Sequence, residues 1–273
     1  MSSTQSTSSD DGSAWVRTTP MASETAADAE ALKSVATALD LLECFAVDTE
    51  LGVSDIARRL GIAKSTAHRL LTTLASRRII DQNHETGKYR LGLHLLELGI
   101  LVQGRHEIRH AALPVMIDIS RRTGYTVNLS VPDGPDVVFI ERIEIGVARQ
   151  LLSHYGRRYP AHVTSSGKAI AAHNASFDCE RRTAGFPPRA SRTIRSEADW
   201  GRALDEVRRR GFAASNSESF DRFSTVAVPL LALDGTAFGA LSMLGPTSQF
   251  DGAFERHARM LHVAAKRVVS LIR

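Results

Sequence analysis

Apolar residues recur at helical spacing through the first third of the chain. The pattern predicts a helix that begins near Ser34, a second helix that Gly61 closes, and a third directly after that glycine. Their predicted apolar faces are Val35, Ala38, Leu39, Leu42, Phe45 and Ala46 in the first, Ile56, Ala57 and Leu60 in the second, and Ala67, Leu70, Leu71 and Leu74 in the third. Two helices that share one small core across a tight glycine turn form a helix-turn-helix, whose second helix fits the major groove of DNA.

A short hairpin is predicted to follow these helices. Its strands are residues 79–83 and 88–91, and its turn is Glu85-Thr86-Gly87-Lys88, where Gly87 supplies the positive φ that such turns need. A hairpin in this place is the wing of a winged helix-turn-helix. The next segment, 92–101, reads as an apolar connecting helix. Its apolar face is broader than a lone linker helix needs, which indicates that a second chain packs against it.

The remaining residues alternate between strand and helix patterns. We predict a helix from Ile108 to Gly124 with Pro114 inside it, and an amphipathic helix over 197–210 that buries Trp200, Leu204 and Val207. The other predicted helices are 164–173 and 254–272, the predicted strands are 125–131, 137–143, 149–154, 212–217, 226–233 and 238–244, and residues 174–195 show no clear pattern. Strands grouped in hairpins, with helices outside them, indicate an antiparallel sheet and an α+β fold.

We therefore predict four parts. Residues 1–28, rich in Ser, Thr, Asp and Ala, form a disordered tail. Residues 29–92 form a winged helix-turn-helix domain, 93–106 a linker helix, and 107–273 an α+β body that regulates DNA binding. A chain of 273 residues is long enough for two domains that each bury a core.

Positive charge is concentrated in the predicted DNA-binding part. Residues 53–92 carry eight cationic and three acidic side chains, a net charge of +5, whereas the whole chain has a net charge of +4. A basic module on a near-neutral body is typical of a DNA-binding head. Two cysteines without metal-ligand spacing, no apolar run long enough for a membrane span and no signal-peptide pattern predict a cytoplasmic protein without metal or cofactor.

Side chains at the start of the third helix are the candidates for reading DNA. Lys64 and the first-turn amides are placed for phosphate, and Arg69 for guanine; the alternative is that Arg69 or His68 contacts only phosphate or a neighbouring helix. The full set of predicted DNA contacts is Lys64, Ser65, Thr66, His68, Arg69 and Thr72 on this helix, Arg58 and Arg59 on the preceding one, and Lys88 and Arg90 on the wing. A rival interpretation, a head that binds protein, predicts little salt dependence.

From residue 32 onward the chain resembles the IclR family of bacterial transcription regulators. The stretches that carry the resemblance are SVATALDLLECFA, VSDIARRLGIAKSTAHRLLTTLASRRII, ETGKYRLG and LLELG in the first part, and YPAHVTSSGKAIAA, VRRRGFAASNSESF and TVAVPLLALDGTAFGALSMLGP in the second. The resemblance implies a winged helix-turn-helix head, a linker helix and a GAF-like domain that binds a small organic acid. It also implies dimers, or dimers of dimers, on palindromic double-stranded operators, with repression and activation both open.

The turn Thr164-Ser165-Ser166-Gly167-Lys168 opens a helix and suits either an anion site or a plain N-cap. The resemblance implies that it lines the effector pocket, and the implied pocket residues are Ser165, Ser166, Gly167, Ser215, Glu218, Thr225, Ser242 and Leu244. Family members that bind small keto acids often have a second hydroxyl where this chain has Leu244. The family often has Cys or Ser where this chain has Thr225. We therefore expect a larger or more apolar carboxylate, aromatic or aliphatic, than an acid of two or three carbons.

An enzyme is the alternative interpretation. Ser165-x-x-Lys168 has the spacing of a serine hydrolase nucleophile and its lysine, but the companion motifs of that class are missing from the sequence. A P-loop also fails, because Ala169 follows Gly167-Lys168 where Ser or Thr is required. We therefore predict a regulator without catalytic residues, in which effector binding changes the relative placement of two DNA-binding heads.

Overall fold

The computed structural model describes residues 26–144, 158–250 and 252–272, with side chains from residue 32 onward. These residues divide into two compact units, one up to Gln103 and one from Gly104. The predicted strand over 149–154 and most of the predicted tail lie outside the described residues. Within the described part of the chain, no helix is long and apolar enough to cross a membrane.

The first unit, the head, contains the predicted winged helix-turn-helix. Its elements are α1 (Ala26–Glu43), a 3-10 turn (Cys44–Ala46), α2 (Val53–Leu60), α3 (Lys64–Ser76), β1 (Ile80–Gln82), β2 (Tyr89–Leu91) and α4 (Leu93–Gly104). Gly61 closes α2 with φ of +62°, and its N–H donates to the carbonyls of Ala57 and Arg58. A left-handed residue is cheapest as glycine, which is why the chain turns here.

The buried face of α1 differs from the predicted one. Leu41 and Phe45 enter the core of the head, whereas Val35 and Leu39 are 56% and 59% exposed. The helix also begins well before Ser34, at Ala26. Of the predicted stripe, Phe45 in the 3-10 turn is buried and Leu42 packs partly against the core, which confirms these two positions. The prediction was wrong for Val35 and Leu39, because the core contacts only the last turn of α1, where Leu41 faces it.

The wing is shorter than predicted and is joined by one more segment. Asn83 leaves the ladder because its side-chain oxygen accepts hydrogen bonds from the amides of Glu85 (2.9 Å) and Thr86 (3.3 Å). The loop therefore starts at Asn83, two residues before the predicted turn. Leu51 and Tyr89 exchange two backbone hydrogen bonds of 2.9 Å, which adds the segment before α2 to the wing.

The second unit, the body, is an antiparallel sheet, six-stranded over the described residues, with helices on both faces, in agreement with the predicted α+β fold. Its helices are α5 (Glu107–Thr123), α6 (Ser165–Ala171), α7 (Ala175–Ala184), α8 (Glu197–Arg210), α9 (Thr247–Phe250) and α10 (Phe254–Leu271), with a 3-10 turn (Ala161–Val163) before α6. Its strands are β3 (Thr126–Asp133), β4 (Asp136–Ile143), β5 (Arg158–Pro160), β6 (Ala213–Asn216), β7 (Phe223–Leu231) and β8 (Ala237–Pro246). The strand order is β5-β4-β3-β8-β7-β6.

Three features of the body were not predicted. β3 and β4 extend to Asp133 and Asp136, so the turn consists of Gly134 and Pro135 alone, with Gly134 at φ of +57°. β5 is only three residues long. α7 carries a short buried face, and its start is fixed by the Asn174 side chain, which accepts from the amide of Phe177 (3.0 Å). Short elements with few apolar residues give little periodicity to detect.

Side-chain alternation divides the sheet into two different faces. One face of β3, β8 and β7 packs against α5 and α10 through Val127, Leu129, Val226, Val228, Leu241 and Met243. On the opposite face, small and polar side chains meet α6, as the register pairs Asn128 with Ser242 and Leu244 with Thr225. Successive residues of a strand point to opposite faces, so apolar core and polar site share the same strands.

Helix α6 is packed so closely that all seven of its residues are buried. A Cβ on Gly167 would collide with the backbone of Ala161, which cannot move without unwinding the 3-10 turn. The glycine that the family resemblance assigned to the effector pocket therefore has a packing reason of its own.

His162 holds the turn before α6 from inside the protein. It is fully buried, its Nε2 lies 2.9 Å from the carbonyl oxygen of Pro187, and its ring meets the edge of Phe186 at 5.5 Å. Burial lowers the pKa of His162 to about 4, with help from nearby Arg181 and against the hydrogen bond to Pro187. Burial also lowers the pKa of His173, His257 and His262.

We expect Gly167→Ala to destabilise the body by about 3 kcal/mol or more, because the added methyl has no space. Urea unfolding, followed through the fluorescence of the buried Trp200, measures this. The matched control is Gly201→Ala in α8, where the nearest atom to a new Cβ is 4.0 Å away. There alanine should stabilise by about 0.5–1 kcal/mol, as in helix interiors generally. Equal stability of the two variants would contradict the packing argument.

We expect the body to lose stability in mild acid, with His162 contributing. Its pKa is about 4 in the native protein against an ordinary value of 6.5, so the unfolded chain binds the proton first as pH falls. The free energy of unfolding should decrease from pH 6.5 toward pH 4, by about 2 kcal/mol at pH 5 for this group. In His162→Gln, which keeps a donor toward Pro187, the loss between pH 7 and pH 5 should shrink by that amount. The exposed wing variant His84→Gln should leave it unchanged.

Candidate functional site

The exposed face of α3 is the first candidate surface. Lys64, Ser65, Thr66, His68, Arg69 and Thr72 are all exposed, while Ala67 and Leu71 on the opposite face are fully buried. Ala63 precedes the helix in an extended conformation and gives it no side-chain cap. The first-turn amides and the positive end of the helix dipole are therefore presented outward, which suits a phosphate.

Three of the side chains that were predicted to contact DNA also make contacts inside the head. The Thr72 hydroxyl donates to the carbonyl of His68 (2.9 Å). Arg58 pairs with Asp55 at 2.9 Å but stays largely exposed, so it can still meet a phosphate. Arg59 is engaged by Asp48 and by the carbonyl of Cys44, which ties α2 to the turn after α1.

The wing presents two of the predicted cations. Lys88 and Arg90 are both exposed, and Arg90 lies opposite Asp81 in the ladder between β1 and β2. Arg59 is held by contacts inside the head, whereas the side chains of Lys88 and Arg90 face solvent. The geometry of the head therefore favours α3 and the wing as the surface that meets a polyanion.

A cleft between the sheet and α6 is the second candidate site. The space inside it, counted together with the part open to solvent, is about 420 Å³. It is lined by Asn128, Phe139, Arg142, Tyr159, Thr164, Ser165, Ser166, Ser219, Phe220, Thr225, Ser242 and Leu244. Five of the predicted effector residues, Ser165, Ser166, Thr225, Ser242 and Leu244, thus come together from α6, β7 and β8.

The other three predicted effector residues do not line the cleft. Gly167 packs on Ala161, and Ser215 lies on β6 beside Thr225, one strand further out. The Glu218 carboxylate accepts from the Lys168 ammonium at 2.8 and 2.6 Å, and the same ammonium donates to the carbonyl of Ala214 at 2.6 Å. The pair fixes the loop that carries Ser219 and Phe220 to the cleft.

The Lys168 contacts also bear on the hydrolase alternative. An ammonium that donates three hydrogen bonds to a carboxylate and a carbonyl has no lone pair left to take a proton from Ser165. A lysine in this state stabilises a loop rather than activating a nucleophile.

A β-bulge brings the unpredicted Arg142 into the cleft. Ser130 pairs with Phe139 and Leu129 pairs with Glu141, so Ile140 is an extra residue on β4. Three residues apart, Phe139 and Arg142 would otherwise point to opposite faces of the sheet, but the bulge shifts the alternation by one. Both therefore line the cleft.

Arg142, Asn128 and Ser242 lie side by side on three adjacent strands. The Nε of Arg142 donates to the Asn128 side-chain oxygen at 3.0 Å, and the Asn128 amide nitrogen donates to the Ser242 hydroxyl at 3.5 Å. The Arg142 side chain is 5% exposed, and its Nη1 lies 3.5 Å from a carboxylate oxygen of Glu144. A buried guanidinium is thus held over one end of the cleft.

Hydroxyls and aromatic rings form the rest of the lining. The oxygens of Ser166 and Thr225 are buried and have no hydrogen-bond partner among the described residues. The Tyr159 ring meets Phe139 and Phe220 edge-on, at centroid distances of 5.5 and 5.8 Å. Unsatisfied buried hydroxyls next to an apolar wall suit a ligand that has both polar and apolar parts.

The sequence held one usable sign of these missed residues. Thr126, Asn128 and Ser130 alternate with the apolar residues of β3, and the amide of Asn128 needs a hydrogen-bond partner if that face of the strand is covered. The polar row indicates that β3 contributes to a site, but it does not identify Arg142 as the hydrogen-bond partner of Asn128. The bulge at Ile140, which turns Arg142 to this face, leaves no pattern in the sequence.

Comparisons with known proteins agree with this geometry. Residues 101–270 match the family model described as bacterial transcriptional regulator IclR C-terminal, and residues 34–84 match the IclR helix-turn-helix domain. The HTH-type transcriptional regulator XynR of Escherichia coli is 38% identical over 229 residues, which cover 81% of this chain and 89% of XynR.

Solved structures give the same result for the fold. An IclR transcriptional regulator from Alicyclobacillus acidocaldarius matches with a TM-score of 0.75 and 26% identity, over 88% of this chain and 99% of that one. An IclR homolog from Microbacterium hydrocarbonoxydans, complexed with 4-hydroxybenzoate, matches with a TM-score of 0.75 and 29% identity over the same shares. XynR and the HTH-type transcriptional regulator KdgR of Escherichia coli, which is 28% identical over 88% of this chain and 92% of KdgR, are both transcriptional regulators, which agrees with the prediction of a regulator rather than an enzyme.

Proposed function

Because the chain belongs to the IclR family of bacterial transcriptional regulators, we propose that it binds a double-stranded operator and that a small carboxylate in the cleft controls this binding. The observation that carries the proposal is the cleft itself, in which a buried arginine and hydroxyls without partners among the described residues face an apolar wall. The regulator acts in the cytoplasm, where its DNA is.

The head would contact DNA through α3 and the wing. Arg69 and His68 are exposed on the face of α3 opposite to its buried residues, so they reach base edges when the helix enters the major groove. Lys64, Lys88 and Arg90 would contact phosphates and add affinity without sequence specificity.

The effector would be larger than an acid of two or three carbons. At the position where family members that bind small keto acids often carry a hydroxyl, this chain has Leu244. Its apolar side chain lines the cleft wall, and it lies beside Thr225 in the register. The 4-hydroxybenzoate in the Microbacterium hydrocarbonoxydans homolog is consistent with a ring-sized acid in a related body.

A homodimer is the simplest assembly in which the effector can act. In the part of the chain that the structure describes, α4 has no buried residues, and Leu93, Leu96, Ile100, Leu101 and Val102 on it are each more than half exposed. Such an apolar surface favours a second copy of the chain as its cover. Two heads would then read a palindrome, either as a dimer or as a dimer of dimers, and a coupling of about 1–3 kcal/mol would change operator affinity roughly 5- to 150-fold.

We expect Arg69→Ala to weaken operator binding by about 1–3 kcal/mol, because the bidentate contact to guanine is lost. Lys88→Ala should instead reduce the slope of log affinity against log salt by about 0.9, the value of one phosphate contact. Lys266→Ala on α10 is the matched lysine control and should leave the slope unchanged. Fluorescence anisotropy with a labelled operator at several salt concentrations measures both quantities. A wild-type slope near zero would favour a protein partner instead.

In footprinting on the DNA upstream of the protein's own gene, we expect carboxylates of more than three carbons to change the protection that the protein gives. Glyoxylate and pyruvate should not change it. The reason is that Leu244 removes a polar partner that a short acid needs. Leu244→Ser restores a hydroxyl and should give the protein a response to pyruvate. A wild-type protein that responds to glyoxylate or pyruvate but to no larger acid would disprove the size argument.

A further inference from the structure

We propose that Arg142 is the residue that binds the effector's carboxylate, and that the effector is a ring-bearing acid with a second polar group at its far end. The inference rests on the proposed function, since it assigns chemistry to the same cleft.

Arg142 is the one charged side chain among the described residues that line the cleft. A guanidinium has five N–H donors, and the hydrogen bond to Asn128 and the 3.5 Å contact with Glu144 use two of them. The ion pair with Glu144 engages one Nη1 donor, and a planar carboxylate matches the remaining guanidinium donors. Asn128 holds the guanidinium in place, because its own amide is anchored to Ser242.

The start of α6 is a weaker candidate for the carboxylate. The helix has only seven residues, and the amide of Gly167 already donates to the Thr164 hydroxyl at 2.9 Å. Ser166 and Thr225 offer neutral hydroxyls instead. Neutral groups suit a hydroxyl or carbonyl on the ligand rather than its charge.

A short acid could not reach both Arg142 and Thr225. Arg142 is on β4 and Thr225 is on β7, three strand spacings of about 4.8 Å apart and offset by two residues of about 3.4 Å along the strands, so their backbones are roughly 16 Å apart. The Arg142 side chain covers part of this span, and Phe139, Tyr159, Phe220 and Leu244 line the cleft with apolar surface. A flat ring between a carboxylate and a second polar group fits that arrangement.

The test compares matched acids and amides on the full chain. Calorimetry gives the Kd of 4-hydroxybenzoate and of 4-hydroxybenzamide, which differ in charge but hardly in shape, with benzoate and phenylacetate as further ring acids. The wild type should prefer the acid by about 10- to 150-fold, the range expected for hydrogen bonds to a charged group. In Arg142→Gln this preference should fall to nearly none, and in Arg142→Lys it should be intermediate.

Controls separate the role of Arg142 from folding and from the proposed function. Arg158→Gln removes a more exposed arginine, paired with Asp133 and Asp136, that does not line the cleft, and it should keep the acid preference. Thermal unfolding checks that the Arg142 variants are folded. If Arg142→Gln does not fold, the acid preference of Arg142→Lys still tests the inference.

Several results would overturn the inference. One is an acid preference that persists in both Arg142 variants, and another is tighter binding of glyoxylate or pyruvate than of every ring acid. If operator binding of the wild type still responds to acids in either case, the proposed function stands and only the inference fails. If operator binding responds to no acid at all, the proposed function fails with it.

Discussion

The strict alternation of side chains along β3, β8 and β7 is the constraint on which the body depends. The same strands supply Val127, Leu129 and Met243 to the core with α5 and α10, and Asn128 and Ser242 to the cleft. A slip of one residue in the register would bury the polar row in the core and expose the apolar one. The core therefore fixes the site, because the register that buries the apolar side chains is the register that aligns the polar ones.

The bulge at Ile140 is where the protein departs from this constraint. It lets one strand place both an aromatic residue, Phe139, and a cation, Arg142, on the same face. Beyond it, Glu141 turns to the other face and pairs with Arg109 of α5 at 2.7 Å. An irregularity of one residue thus determines which charge enters the cleft and which is neutralised outside it.

Local and long-range features differ in how well the sequence revealed them. The helix-turn-helix was predictable because Gly61 and two apolar stripes lie within a few turns of each other, and α8 was predictable because Trp200, Leu204 and Val207 repeat at helical spacing. The partly wrong face of α1 and the missed Arg142 share another cause. In both, burial is decided by packing against a different element, as when the bulge opposite Leu129 and Ser130 turns Arg142 toward Asn128 on β3. A pattern within one segment contains no information about such partners.

The unsatisfied hydroxyls suggest why the cleft can act as a switch. A buried hydroxyl without a partner costs about 1–3 kcal/mol, and Ser166 and Thr225 both lack one among the described residues. A ligand that satisfies them recovers that free energy only when α6, β7 and β4 are in the arrangement that binds it. If the cleft binds the proposed effector, binding favours that arrangement of the body over others, and about 1–3 kcal/mol is the usual coupling free energy between two sites of a regulated protein.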